Sequence, residues 1–163
     1  MGRKADPLGD PAPLIRRVYA YVAYRIGDGL EAQDVSSAVF ERALRYRWSY
    51  NPDKAAPITW LMAIARSLLA DRGRGGATPV AEDAIELVDP LAVEGESMRR
   101  LDLRAAVAQL SERDRELIGL RYGADLTAAQ IAELLESEPH AVEVSLSRAV
   151  SRLRSFAIVG SDL

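Results

Sequence analysis

An all-α fold of two small helical domains follows from three features of the sequence. Apolar residues recur at intervals of three and four through most of the chain, and alternating runs of β-branched and aromatic residues are absent. Ala, Leu, Arg and Glu, all good helix formers, dominate the composition. An acidic, proline-containing stretch without sustained period, residues 77–96, separates three expected helices from four. At 163 residues, 48% of them hydrophobic, the chain can form one medium domain or two small ones with packed cores.

The elements follow in order. Residues 1–13 hold three prolines and two glycines with little apolar content and are expected to form a flexible tail. The first domain spans 14–76. Ile15, Val18, Tyr19, Val22 and Ile26 mark one face of its first helix, which Gly27 and Gly29 terminate. A second helix runs from about Leu30 to Tyr46 with Val35, Val39, Ala43, Phe40 and Leu44 facing inward, and Trp48–Pro57 is a loop. The third begins near Ile58. It carries Leu61, Met62, Ala65, Leu68 and Leu69 on one face, with Arg66, Arg72 and Arg74 off that face, and Gly73, Gly75 and Gly76 end it.

The second domain spans 97–156. A helix from Met98 to Leu110 precedes Ser111-Glu-Arg-Asp114, a capping box that starts a fifth helix through Leu117, Leu120 and Tyr122. Thr127 with Gln130 is a second helix-start signature, followed by Ile131, Leu134 and Leu135 at core-facing spacing. After a polar interruption, Pro139 suits the first turn of a seventh helix, where its missing N–H costs nothing. Val142, Leu146, Ala149 and Leu153 then form one buried stripe. Residues 157–163 are assigned to a C-terminal tail.

The last two helices have the shape of a helix-turn-helix, the second long enough to cross a major groove. His140, Ala141, Val144, Ser145, Ser147 and Arg148 lie on or beside its outward face. Taken alone, the same pattern also describes an ordinary helical hairpin. Charge adds context: residues 14–76 carry ten Lys/Arg against six Asp/Glu, residues 77–98 six acids and no base, and residues 99–154 nine of each. The net −3 therefore conceals a basic first domain, and electrostatic partners respond to local potential.

Other classes are poorly supported. The chain has no cysteine, hence no disulfide, thiolate metal site or cysteine nucleophile, and no charged-then-apolar leader or membrane-spanning apolar run. A cytoplasmic location is expected. The one histidine, His140, has no neighbouring nucleophile or metal partner in the sequence. Arg72 to Gly76 is glycine-rich but follows a helix and lacks phosphate-loop spacing. No enzyme activity, metal or cofactor is expected.

Across residues 14–156 the chain resembles the extracytoplasmic-function (ECF) sigma factors of RNA polymerase. In the first domain the resemblance rests on Ala32-Gln-Asp34-Val, Phe40, Arg42-Ala-Leu44, Pro57, Trp60-Leu61, Ile64-Ala65-Arg66, Leu68-Leu69 and Asp71-Arg72. In the second it rests on Leu110 to Glu116, Leu120-Arg-Tyr122, Leu126-Thr, Ile131 to Leu135, Leu146-Ser-Arg-Ala149 and Arg152-Leu-Arg154. It implies a sigma region 2-like domain that binds the polymerase clamp through its second helix, with Asp34, Ser37, Glu41, Arg42 and Arg45 as polar candidates. That domain would also hold the melted promoter element. A positive surface and a stacking platform suit a displaced strand, which singles out Trp48 and Tyr50, the adjoining loop at Asn51, Asp53 and Lys54, and Arg66, Arg72 and Arg74; the resemblance adds Ser67, and for Trp60 the helical spacing favours the core.

The resemblance further implies a region 4-like domain that docks on the polymerase flap and sets residues 139–153 in the duplex major groove. His140, Ala141, Glu143, Val144, Ser145, Ser147, Arg148 and Arg152 are the candidate contacts. The acidic linker would thread the polymerase cleft toward the RNA path, or serve as a flexible spacer. Expected partners are core RNA polymerase, promoter DNA and an anti-sigma protein gripping both domains. Two other readings stay open: a helix-turn-helix regulator that works without polymerase, and a degenerate sigma-like chain acting through protein contacts.

The chain also departs from the family. Glu136 occupies a turn position where many members have glycine, and Glu143, Ser145 and Val150 occupy positions commonly basic. A non-glycine residue in a left-handed turn costs about 1–2 kcal/mol, and an acid in the groove repels phosphate. Weak or altered duplex reading is expected. Ser37 and Ala38 replace a frequent glutamine and acid, and Ser67 a frequent asparagine, so clamp contact and base preference are expected to differ too.

Overall fold

The computed structural model describes residues 6–72 and 100–161, all of whose regular structure is helical. The expected linker 77–96, Arg74 and the glycines after Arg72 lie outside the described residues. Helix α1 (Pro11–Ile26) begins inside the segment expected to be a tail, because Pro11 and Pro13 stand in the first turn, where a preset φ helps and a missing N–H costs nothing. Helix α2 (Leu30–Tyr46) follows after a two-glycine turn that is tied back to α1: the Gly29 N–H donates to the Tyr19 hydroxyl at 3.2 Å. A single 3-10 turn (Arg47–Ser49) and a loop lead to α3 (Pro57–Arg72).

Val39, Ala43, Ile58, Leu61, Met62, Ala65 and Leu69 form the inner faces of α2 and α3 against Val18, Tyr19 and Val22 of α1. The expected inward face of α2 needs one correction, since Leu44 is 55% exposed. The second module contains α4 (Arg100–Gln109), α5 (Glu112–Ile118), α6 (Ala128–Leu134) and α7 (Pro139–Ser161). Between α5 and α6 the expected straight continuation to Tyr122 is a π-helical turn, Gly119–Gly123, in which Ala124 N–H reaches back five residues to Gly119 O. Helix α7 continues through the expected tail as far as Ser161, and Phe156 packs on the core of its module.

The two modules are not separate bodies in this structure. Val18 through Tyr24 of α1 are buried on every side, which a one-sided amphipathic helix would not be. One side of α1 faces α2 and α3, and the other faces α5 and the π turn. One continuous core joins Val18, Val22 and Met62 to Leu117, Leu120, Leu126 and Ile131. Tyr24 belongs to a second cluster with Leu103, Val107, Leu110, Ile118 and Leu153. The close approach requires glycine: a Cβ on Gly123 would lie 2.8 Å from Tyr21 N, and one on Gly119 would lie 3.0 Å from Tyr24 Cβ.

Arginines rim this seam. Arg17 Nε donates to Ala124 O at 2.6 Å, Arg104 pairs with buried Asp28 at 2.5 Å, and Arg66 pairs with Glu116. Arg25 donates to the Tyr21 hydroxyl at 2.8 Å and lies 3.9 Å from Glu116. Burial pushes the Tyr21 hydroxyl up to about 12, with Arg25 opposing the shift.

The helix-turn-helix is held by its own backbone chemistry. Gln130 N–H donates to Thr127 Oγ1 at 3.1 Å and Thr127 N–H donates to Gln130 Oε1 at 2.9 Å, a complete capping box. The end of α6 is closed by Ser137 N–H to Ala132 O (2.8 Å) and Glu136 N–H to Glu133 O (3.4 Å), the Schellman pattern. That pattern needs a left-handed residue, and Glu136 adopts it at φ 54°. The strain expected from the sequence is therefore present.

Glu136→Gly should stabilise the chain by about 0.5–1 kcal/mol, since relief of the left-handed strain exceeds glycine's added unfolded-state entropy; urea unfolding midpoints measure it. Tyr21 keeps its proton longer when folded than when unfolded, so its contribution is complete below pH 10 and is lost as pH rises toward about 12. The loss should total about 2–3 kcal/mol and be missing in Tyr21→Phe, as followed by unfolding at stepped alkaline pH.

Candidate polymerase and nucleic-acid interfaces

The outward side of α2 carries Asp34, Ser37, Glu41 and Arg45 exposed and Arg42 half-buried, one polar face running the length of the helix. Glu41 and Arg45 lie 4.0 Å apart on it, an exposed i,i+4 pair of small energetic weight. Leu30 and Leu44 are also exposed, so this surface mixes charge with apolar contact area of the kind a protein partner covers. All five polymerase-contact candidates thus share one helix and one surface.

The melted-strand candidates divide. Trp48 is 55% exposed, and the Arg47 guanidinium stacks over its ring at 4.7 Å, a platform that combines a π face with positive charge. Asn51, Asp53 and Lys54 are exposed in the adjoining loop, where Asn51 Oδ1 accepts from Asp53 N–H at 2.9 Å and fixes the turn. Tyr50 is a correction: it is only 6% exposed, its hydroxyl donates to Ala55 O at 2.6 Å, and its ring lies 5.3 Å from Trp60. It supports the loop and presents no face to a base, while Trp60 packs against the core as its spacing predicted.

Ser67 is exposed on α3. Arg66 and Arg72, expected to track phosphates, are engaged within the protein: Arg72 pairs with Glu31 of α2, and Arg66 pairs with Glu116 and donates to Leu134 O at 3.5 Å. Arg47 was absent from the sequence-based set. Its signal was available, because an arginine beside an exposed tryptophan in a loop is the ordinary composition of a stacking site.

On α7, His140 is 90% and Glu143 65% exposed, with His140 Nδ1 3.9 Å from a Glu143 carboxylate oxygen. Ala141, Ser147 and Arg148 are exposed as well, whereas Val144 and Ser145 are half-buried. Arg152 is a second correction. It forms a two-oxygen ion pair with buried Asp114 at 3.0 and 2.8 Å, so it braces α7 against α5. A groove of about 470 Å³ runs beside this helix, lined by Arg121, Thr127, Glu143, Ser147, Ser151 and Arg154 among others. Arg121 and Arg154 were missed. Arg154 continues the spacing of Glu143, Ser147 and Ser151, so period alone could have found it; Arg121 is brought there by the π turn.

The Sigma-70 region 2 family matches residues 13–77, and the Sigma-70 region 4 family matches residues 100–153. The chain is 35% identical over 136 residues to the ECF RNA polymerase sigma factor ShbA of Streptomyces griseus, covering 77% of this chain and 69% of that protein. It is 30% identical over 143 residues to the ECF RNA polymerase sigma factor BldN of Streptomyces coelicolor, covering 83% of this chain and 54% of BldN. It thus spans little more than half the length of BldN. In fold it is similar to the sigma factor RpoE of Bartonella quintana solved with the anti-sigma factor NepR, at TM-score 0.66 and 20% identity over 90% of this chain and 92% of that one. CnrH, solved with the cytosolic domain of CnrY, gives TM-score 0.60 at 20% identity over 93% and 82% of the two chains. With both regions matched in order on two helical modules, the chain belongs to the ECF sigma factors of the sigma-70 family.

Proposed function

We propose that this chain directs core RNA polymerase to promoters, with its first module on polymerase and the melted element and its second on the upstream duplex. The observation that carries this is the match to region 2 followed by region 4, on modules whose α2 face and α7 start are both exposed. The α2 surface from Asp34 to Arg45 meets the polymerase clamp. The Arg47–Trp48 platform and the loop at Asn51, Asp53 and Lys54 receive the displaced strand, joined by Arg66, Ser67 and Arg72 when their charges are released. The second module meets the flap and lays the first turns of α7 in the major groove.

The protein works without chemistry of its own, as a binding subunit beside the polymerase in the cytoplasm; among the described residues no helix is long and apolar enough to cross a membrane. An anti-sigma protein is a fitting partner, since both structural neighbours were solved with one bound or with a cytosolic partner domain.

The experiment is run-off transcription with core polymerase and genomic fragments, followed by mapping of start sites. Discrete start sites sharing two upstream elements are expected; their absence, with the chain bound to polymerase, ends this reading. The groove chemistry makes a second expectation. The first turns of α7 carry no Lys or Arg before Arg148 and expose Glu143, so duplex affinity is low; Glu143→Arg should raise it and steepen the slope of log affinity against log salt by about 0.9, as fluorescence anisotropy with promoter duplex would report.

A further inference from the structure

We propose that the cavity between the end of α1, α4 and α5 binds a small monocarboxylate, with Arg115 on its carboxylate and Ile26, Val107 and Ala108 around its apolar body. The cavity measures about 190 Å³. A site for a drug-sized ligand takes roughly 300–1,000 Å³, so this occupant is small. Ala23, Ile26, Val107 and Ala108 give the cavity apolar walls, and Asp28, Arg104 and Arg115 are the charged side chains that line it.

Two of those charges answer each other: Arg104 Nε lies 2.5 Å from the carboxylate of Asp28, whose side chain is 1% exposed. Arg115 is different. It is half-buried, its Nε is buried with no acceptor, and among the described residues it has no ion-pair partner. The acids on either side of it in the chain are committed elsewhere, Asp114 to Arg152 and Glu116 to Arg66. A buried donor without an acceptor is costly, and a guanidinium cannot escape that cost by losing its proton.

The class of ligand follows from these groups. Guanidinium N–H groups form a fork that matches the two oxygens of a carboxylate. A phosphate would bring more charge than one unmatched cation can answer, and would set it beside the Asp28 carboxylate and apolar walls. A neutral molecule would leave Arg115 unanswered. A small acid with an aliphatic or aromatic body satisfies the donor and covers the apolar walls together. The site uses neither the α2 face nor the start of α7, so it stands apart from the promoter role. Its ligand touches α1, α4 and α5 at once, binds only the folded chain and therefore raises Tm.

The test is NMR titration of the full nitrogen-15-labelled chain with isovalerate and with benzoate. At least one acid should move the Arg115 Nε–H signal and the amides of Gly27 and Ala108 saturably, and raise Tm by about 5–10 °C at a hundredfold excess over Kd. Isovaleramide and benzamide, the uncharged counterparts, should do neither. Arg115→Gln should weaken binding about tenfold to hundredfold. Ala108→Phe, at an exposed position, fills the cavity with every charge in place and should abolish binding while the circular dichroism stays unchanged. No saturable shift with either acid, equal binding of the amides, or unchanged affinity in Arg115→Gln overturns the proposal. Should Arg115→Gln fail to fold, persistent binding by Ala108→Phe overturns it alone. Inorganic phosphate that moves the same signals at equal or lower concentration marks an adventitious anion site and overturns it as well.

Discussion

The close approach of α1 to the π turn at Gly119 and Gly123 is the constraint on which the described structure depends. No side chain fits at Gly123, where a Cβ would sit 2.8 Å from the Tyr21 nitrogen. The π turn is what aims both glycines at α1, because one extra residue in a helical turn rotates the following positions relative to an α-helix. Once the backbones touch, Tyr21 and Tyr24 lose their solvent-facing side, and α1 becomes the central helix of both modules instead of the surface helix of one. Burial of each large side chain on this line contributes about 1.5–3 kcal/mol. The two modules are therefore joined by a core as well as by the chain itself.

Burying that line leaves polar groups to be satisfied, and arginines satisfy them. Arg17 meets carbonyls at the end of the π turn, Arg104 meets Asp28, and Arg25 and Arg66 converge on Glu116. Arg25 and Arg66 keep 19% and 35% of their side-chain surface in contact with water, so their pairs with Glu116 contribute less than a buried pair would, whereas Asp28 is buried. A chain whose first module is basic therefore presents few unoccupied guanidiniums on the described part of that module's α3.

The second module combines a well-built frame with an unusual surface. Thr127 and Gln130 cap α6, Arg152 and Asp114 brace α7, and the Schellman closure is completed even at the cost of a left-handed glutamate. The exposed start of α7 nevertheless presents an acid, Glu143, and no Lys or Arg before Arg148. The turn fixes where α7 lies, while the residues on its outer face set the charge that this end of the module presents. Glu143 adjoins a groove that also contains Arg121 and Arg154.

Local interactions were legible in the sequence, because they are written within a few residues of each other. The existence and order of the described α-helices, the Thr127–Gln130 box, the polar face of α2 and the strained turn at Glu136 follow from period, capping chemistry and backbone preference. The box expected at Ser111 is half-formed, because Ser111 accepts from Asp114 N–H while the Asp114 carboxylate turns to Arg152. The order of the two regions is likewise a property of the chain. What the second side of α1 packs against is not, since a period of 3.6 reports that a face is apolar and never names the surface that covers it. Tyr50 looked like a base contact until the fold brought Trp60 to it, and Arg66 and Arg152 looked like phosphate contacts until it brought Glu116 and Asp114. The sequence determined the helices, their caps and their family; only the tertiary structure decided which arginines are spent within the protein, because a guanidinium's partner is chosen by distance in space, and distance along the chain carries no record of it.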